Sequence, residues 1–527
     1  MSFLFGHKNI PTPPQKNLGL NTANAATNEQ GAPLFYLAGK RRFAGTFITD
    51  AFDQLAISIG GGGKDSGKGG GGKGTNYYAG VGLAFNHGPN DGFHDFWLNG
   101  EPVYTSNTPL IPISLGQAGN VATFQTVNPH GLTTGQTGVV TGADQPEFNG
   151  EFTITVINPT EFQYTIPGSS LSAETASGQI QFFVTLDPIY RGAEDGLNIT
   201  IPDYGILRLK WGTETQLADD YLQVSGTAHP PYRGIVLGIL QQFFLGLNQT
   251  NFQNAEAVWS RIPSPAWLAN PAWANIADEA NPACVFYDLL TKLRVGLDLV
   301  DADFYIAGLN DAAETFYNEG LGVSPLLTRQ DTALSFIQQL CQAVDMLPLL
   351  NGSGLLFGLP VRSPADYGAI PTLTDANLAG IPTPTTADWS NSFNYTRIVF
   401  PNRDAGFNND YVEWQDFGTL SASANVAQPQ TLNLDWITRR DVALKLVAAF
   451  GPSSALPKTG GKMPLLFTPA LFNTLAPGTV FRNNFINPTC ARSNGIFRVT
   501  RRRLTNSGKP IMEIEYAADR SYLNRAL

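Results

Sequence analysis

The fifteen residues 60–74 hold ten glycines together with Lys64, Lys68 and Lys73, a composition able to cradle a phosphate. Gly62 has the right separation from Gly67-Lys68, and Gly67 from Gly72-Lys73, for a phosphate-binding loop met twice. In both cases the next residue is glycine (Gly69, Gly74) where Ser or Thr would hold magnesium. The segment that follows has the pattern of a strand, so no helix N-terminus meets the phosphate. The tract reads as a flexible structural loop. Asp65-Ser66-Gly67 echoes a serine-protease nucleophile segment, yet nothing around it fixes an oxyanion hole.

Other reactive side chains are equally scattered. Of the histidines His7, His87, His94, His130 and His229, none forms a two-histidine zinc helix. His87, Asp91, His94 and Asp95 surround a glycine-proline turn and could bind a divalent ion. The plainer reading is a turn with a polar rim. The pairs Asp219-Asp220 and Asp301/Asp303 lack a visible catalytic partner, as a glycosidase would require. Arg501-Arg502-Arg503 falls in an expected strand, with Arg502 on one face and its neighbours on the other. Such a basic patch on an acidic chain suits an acidic neighbour better than nucleic acid. Cys284, Cys341 and Cys490 lie far apart, so buried free thiols are expected, consistent with a reducing cytoplasm. No catalytic, cofactor-binding or metal-ligating residue is assigned, no cofactor is expected, and the chain reads as a non-enzyme.

The elements around these residues are mostly strands. At 527 residues the chain exceeds one hydrophobic core, so several domains are expected. Its 14% of charged residues falls well under the roughly 25% of an ordinary soluble protein. That suits a subunit that buries much of itself against neighbours. The net charge of −10 predicts repulsion of nucleic acid. The N-terminus lacks the apolar run of a signal peptide. The most apolar stretch, Ile235 to Leu247, is interrupted by Gln241-Gln242 and is too short to span a bilayer, so no stable membrane insertion is expected.

Residues 1–30 read as an extended arm. Residues 31–112 with 187–204 read as a β domain carrying the glycine loop 60–74. Within it Tyr77–Phe85 and Phe93–Leu98 are strands about a Gly88–Gly92 turn, with a hairpin signal at Asn99-Gly100. Residues 113–186 read as an inserted small β-sandwich-like module, with alternating Phe152, Ile154 and Val156 giving one buried face. A first tube-like β region spans 205–280, Ile262–Trp273 being irregular linker. Residues 281–360 read as a helical α/β domain. There, Leu334, Ile337, Leu340, Cys341 and Val344 form one apolar stripe after a start signal at Thr328–Asp331. Residues 361–389 read as a Pro/Thr-rich linker. Residues 390–527 read as a β-barrel with one helix over Asp435–Phe450 and a mobile loop between Gly451 and Leu465.

Three segments together resemble the baseplate hub, or tail-tip attachment, proteins of long-tailed (siphophage, lambda-like) bacteriophages and gene-transfer particles. The first is Gly71-Gly-Lys-Gly-Thr-Asn-Tyr-Tyr-Ala-Gly-Val-Gly-Leu-Ala-Phe, then Gly88-Pro89 and Asp95-Phe-Trp-Leu-Asn-Gly100. Many members carry Cys-Glu before the Gly-Pro, where this chain has Asn86-His87. The second, and most specific, is Trp211-Gly-Thr-Glu-Thr-Gln216, Pro231-Tyr-Arg-Gly234 and Arg261-Ile-Pro263. Gly234 is expected to allow a backbone bend and Arg233 to pair with Glu214 across strands. The third runs from Asn394-Tyr-Thr-Arg-Ile-Val-Phe through the helix to Leu475-Ala-Pro-Gly478, Phe497-Arg-Val499 and Glu513-Ile-Glu-Tyr. The 113–186 insertion resembles a small β module of phage structural proteins through Pro-His-Gly-Leu-Thr-Thr-Gly and Phe-Asn-Gly.

The resemblance implies a mainly β, multidomain chain with a smaller α/β part, two tail-tube-like β-barrels, peripheral domains and the inserted module. It implies a homotrimeric ring closing the distal end of the tail tube, at the virion tail tip, after assembly in the host cytoplasm. Implied partners are a distal tail protein, a tape measure protein and tail fibre or receptor-binding proteins. Phage DNA would pass through the lumen without specific binding, and host attachment would open the tube for DNA ejection. The alternative is a receptor- or carbohydrate-binding tail protein.

Overall fold

The computed structural model describes residues 34–519 apart from 60–73, 106–111, 127–133, 136, 144, 167–173, 176–179, 186–195, 202, 249–251, 292–296, 330–331, 365, 387–391, 423–425, 456–458, 486–494 and 508. The protein is mainly β and multidomain, with several sheets that include a half-barrel. It divides into two compact units, 1–261 with 326–330, and 262–325 with 331–527.

In the first unit the apolar run Ile235–Leu247 is the central strand of a six-stranded sheet, between Gly205–Trp211 and Gly74–His87. It is largely apolar because both faces are covered along most of its length. One face joins a core with Val81, Leu83, Phe85, Leu207 and Leu209, and the other packs with Phe52, Tyr221 and Leu222. Gln241-Gln242 does not end the strand. Gln242 takes φ 43° and the register with Gly74–His87 slips between Leu240 and Phe243, which is a bulge.

Across the first core lies a four-stranded sheet of Gly39–Ala44, Ala255–Arg261, Gly92–Leu98 and Glu101–Thr105. Trp259 sits at the centre, its ring 5.0 Å from Phe93, 5.6 Å from Phe85 and 5.9 Å edge-on from Trp211. These offset and edge contacts are the arrangements aromatic quadrupoles favour. The two sheets thus share one core in the manner of a sandwich.

Between Glu101–Thr105 and Leu197–Ile201 the chain builds a seven-stranded sheet of its own. Its strands are Val121–Thr126, Thr137–Thr141, Gly150–Asn158 and Glu161–Thr165, joined by Pro112–Ala118, Glu174–Thr175 and Gln181–Thr185. Its core is aromatic: Phe124 stacks on Phe162 at 4.7 Å, and Phe162 lies 4.7 Å from Phe182. The Phe-Asn-Gly signature has a packing reason. Phe148 is fully buried, and Asn149 binds both backbone groups of Ala143 at 3.0 and 2.8 Å. Pro129-His-Gly-Leu lies outside the described residues.

The second unit carries the helices Pro282–Thr291, Ile306–Glu319 and Ala333–Val344. The last buries Ile337, Leu340, Cys341 and Val344 of the expected stripe together with Phe336, whereas Leu334 is exposed, and its N-cap is Thr332, whose Oγ1 accepts from Ser335 N at 3.2 Å. It ends at Asp345 in the left-handed region (φ 50°), before Pro348, which sits instead in the hairpin strand Met346–Leu350. A three-stranded sheet of Asn408–Gln415, Tyr395–Asn402 and Pro429–Asn433 is backed by the helix Arg440–Ser454. That helix starts five residues later than expected, because 435–436 form a turn, and it tolerates Pro452 in its last turn.

Two further expectations change. The Pro/Thr-rich 361–389 segment supplies the two outer strands, Thr372–Thr374 and Thr383–Thr386, of a six-stranded sheet. Outer positions tolerate Pro384 because one side of the strand needs no ladder donor. In place of a mobile loop after Gly451, Thr459–Leu466 pairs with Lys509–Ala518 and Thr383–Thr386. Its glycines mark close approach: a Cβ on Gly460 would meet Tyr516 O at 2.4 Å, and one on Gly461 would meet Thr383 O at 2.4 Å.

Candidate functional site

Three of the motif segments meet at one end of the six-stranded sheet of the first unit. Gly88 follows Gly74–His87, Gly212 follows Gly205–Trp211, and Gly234 precedes Ile235–Leu247. Gly88 N donates to Gly234 O at 3.0 Å, and Asn90 N to Trp211 O at 3.0 Å. Asp91 N reaches Ser260 O of the facing sheet at 2.9 Å. The Gly88-Pro89 peptide is cis. Gly88 and Gly212 press backbone on backbone: a Cβ on Gly88 would stand 2.8 Å from Gly212 Cα. Gly212 (φ 76°) and Gly234 (φ 74°) both need the left-handed region, so the expected bend at Gly234 is present.

Gln216 ties this junction together. Its side chain is fully buried; Oε1 accepts from Gly212 N at 2.8 Å, and Nε2 reaches Pro231 O at 2.9 Å, Tyr232 O at 3.1 Å and Ile235 O at 3.3 Å. One carboxamide thereby satisfies backbone groups of two loops that lack ladder partners. The expected Arg233–Glu214 cross-strand pair takes another form. Both residues lie in turns, and Arg233 Nε donates to Gln216 O at 3.4 Å. Asn86 is buried and exchanges carboxamide hydrogen bonds with Asn90 at 2.7 and 3.0 Å. Arg261 closes the second motif by donating to Leu37 O at 2.8 Å with its guanidinium 5.3 Å from the Tyr36 ring.

A second buried contact braces the same sheet. Tyr221 OH donates to Asp53 Oδ2 at 2.8 Å and accepts from Gln242 N at 3.1 Å, so one hydroxyl bridges the irregular positions of two strands. Burial first, then Asp53, pushes its pKa above the ordinary phenol value, so it stays a neutral donor. Tyr221→Phe should cost about 2 kcal/mol, because Gln242 N–H loses its acceptor. Denaturant unfolding measures this, and a loss below about 0.5 kcal/mol would contradict the bridge.

The remaining sequence candidates are engaged in holding the fold. Asp219 accepts from Arg208 at 3.0 Å and from Tyr221 N at 3.0 Å; Asp220 also meets Arg208. Asp303 caps Val300 N at 2.9 Å, and Asp301 accepts from Tyr287. His94 Nε2 lies 3.0 Å from Ser260 Oγ. Among the described residues no three His, Cys, Asp or Glu are grouped to hold a metal ion. Cys284 and Cys341 are buried free thiols, each pushed up to about 12 chiefly by burial; Cys490 lies outside the described residues. The glycine tract 60–73 also lies outside them, while Gly74 opens a strand, not a helix.

The arginine triplet alternates as expected, but its acidic neighbour is the adjacent strand. Arg503 binds Glu515 at 2.8 Å and approaches Glu513 at 3.8 Å, and Arg501 lies 4.0 Å from Glu515. Arg502, on the other face, stacks 3.6 Å from the Phe472 ring. Sequence patterning missed Gln216, Asn86–Asn90 and Tyr221. A polar residue in a turn carries no sign of whether it faces water or the backbone of a distant loop.

These features describe a multidomain, mainly β chain whose motif residues fix loops, with a fold also found in a chain of a virion. The particular match is a chain of the virion of a native gene transfer agent particle. It aligns over 97% of this chain and 90% of that one with a TM-score of 0.50 at 13% identity. The 43 kDa tail protein of prophage MuSo2 from Shewanella oneidensis also aligns, over 82% and 98%, with a TM-score of 0.28 at 9% identity. A tail protein from Neisseria meningitidis MC58 aligns over 36% and 55%, with a TM-score of 0.25 at 15% identity. These last two similarities are too low to carry argument. No family model matches the sequence, and no curated protein does.

Proposed function

We propose that this chain is a structural, non-enzymatic baseplate hub (tail-tip) protein of a tailed bacteriophage. Three copies form a ring that closes the distal end of the tail tube, anchors neighbouring tip proteins and opens for DNA ejection. The observation that carries this reading is the nearly end-to-end likeness of fold to a virion chain. The motif junction supports it, since glycines and buried carboxamides there fix loop geometry. A net charge of −10 suits a lumen through which DNA slides without sticking.

Within this proposal the 113–186 module is a peripheral decoration, and 205–280 and 390–527 supply the tube-like parts. The distal tail protein, the tape measure protein and fibre or receptor-binding proteins are its neighbours. Cryo-electron microscopy of the intact particle tests it: three copies per tail tip are expected. A six-fold ring of this chain, or its placement in the capsid, would overturn the assignment. One observation favours the second reading, a carbohydrate- or receptor-binding tail protein. The inserted module has an aromatic core made entirely of its own side chains, as a portable binding unit would. Glycan arrays probed with the full chain and with a chain lacking 113–186 separate the two readings.

A further inference from the structure

The second unit contains a buried carboxylate that the proposed function does not use. Asn275–Ile276 and Glu279–Ala280 form a tight hairpin whose turn residues Ala277 and Asp278 both have positive φ (52° and 64°). Glu279 points inward and is fully buried. Its Oε1 accepts from Thr438 Oγ1 at 2.6 Å. Its Oε2 is buried without a hydrogen-bond partner. Gly322 makes room for it, since a Cβ there would stand 2.5 Å from Glu279 Cβ and 2.8 Å from Oε2.

The nearby cations are turned elsewhere. Arg439 Nη1 is 3.9 Å from Oε2, beyond hydrogen-bond reach, and donates to Gly320 O at 3.2 Å. Its Nε and Nη2 bind Asp441. Arg403 donates to Ala277 O at 2.7 Å and lies 3.9 Å from Asp404. Asp278, on the hairpin itself, is exposed. An anion at Oε2 would therefore be desolvated with no direct hydrogen bond, whereas the neutral acid bears no such penalty.

We propose that Glu279 is a proton-operated latch: as the neutral acid it holds the 275–280 hairpin against the start of the Arg440–Ser454 helix, and loss of its proton to solvent releases the hairpin. Burial, opposed by Thr438, Arg439 and Arg403, pushes its pKa from 4.5 up to about 7. A folded-state value above the unfolded one means the closed state has its full stability below 4.5. It loses stability as pH rises through about 7. Release lets the carboxylate reach water or draws Arg439 away from Asp441 and Gly320.

Hydrogen exchange on the full chain, corrected for intrinsic rates, tests the latch. Ala280 N and Val323 N, which bond each other's carbonyls at 2.9 Å, report closure. Their protection should fall about thirtyfold between about pH 5.5 and about pH 8. In Glu279→Gln, which keeps shape without charge, protection should not change with pH. Thr438→Val removes the hydrogen bond that favours the anion, so the midpoint of release should move to higher pH. Flat protection in the wild-type chain, the same fall in Glu279→Gln, or an unmoved midpoint in Thr438→Val would each overturn the proposal.

Discussion

Arg498→Met should destabilise the second unit by about 3–5 kcal/mol, because it strips a buried ion network of its centre. Arg498 is nearly inaccessible; Nε and Nη2 hold Asp519 Oδ1 at 3.3 and 3.0 Å, Nη1 donates to Gly478 O at 2.9 Å, and Nη2 to Arg362 O at 2.7 Å. Arg362 extends the chain of contacts to Glu319 at 2.6 and 2.8 Å and to Asp345 O at 3.1 Å. The two guanidiniums thus tie the six-stranded sheet to the ends of two helices. Methionine has comparable reach and fills the volume, but it leaves Asp519 buried without its cation and two carbonyls without donors. Asp519→Asn keeps an acceptor for Arg498 and should cost less. Since the two units need not unfold together, the readout is the transition that exposes 262–519, followed by hydrogen exchange. A shift smaller than about 1 kcal/mol in that transition would show that water or rearranged side chains replace the network.

Gln216→Leu should cost the first unit about 4 kcal/mol. Leucine fits the volume, yet Gly212 N–H and the carbonyls of Pro231, Tyr232 and Ile235 lose their partner at once. Each buried group left unmade costs about 1–3 kcal/mol, reduced where a loop can turn to water. Gln216→Glu is the sharper control. A carboxylate still accepts from Gly212 N but faces three carbonyls with no proton to offer, so it should be at least as damaging near neutral pH. Exchange at the Gly212 amide should accelerate in Gln216→Leu while exchange in the 275–280 hairpin stays unchanged. If Gly212 remains protected, the loop is held by its glycine contacts and not by the carboxamide.

Both variants fall at residues that differ in how visible they are. Periodicity exposed the helix stripe of Ala333–Val344 and the alternating face of Gly150–Asn158, since local burial repeats with the element's own geometry. It also set Arg502 apart from Arg501 and Arg503. Composition misled where glycine and proline served a sheet instead of a turn. Gly460 and Gly461 admit neighbouring backbones, and Pro384 sits in an outer strand. Those roles depend on what lies alongside, and sequence spacing does not encode it.

Local pattern alone indicated that this protein is β-rich and multidomain, where its most apolar stretch lies, and that its lysine-bearing glycine tract has glycine where a phosphate-binding loop carries Ser or Thr. These follow from local patterns of polarity and side-chain chemistry. The tertiary structure decided which polar residues matter. Gln216, Asn86, Glu279 and Arg498 are ordinary in sequence and become decisive only when folding removes them from water. The physical reason is desolvation: a carboxamide, carboxylate or guanidinium costs little at the surface, and its worth or penalty is set by distant backbone groups brought within about 3 Å.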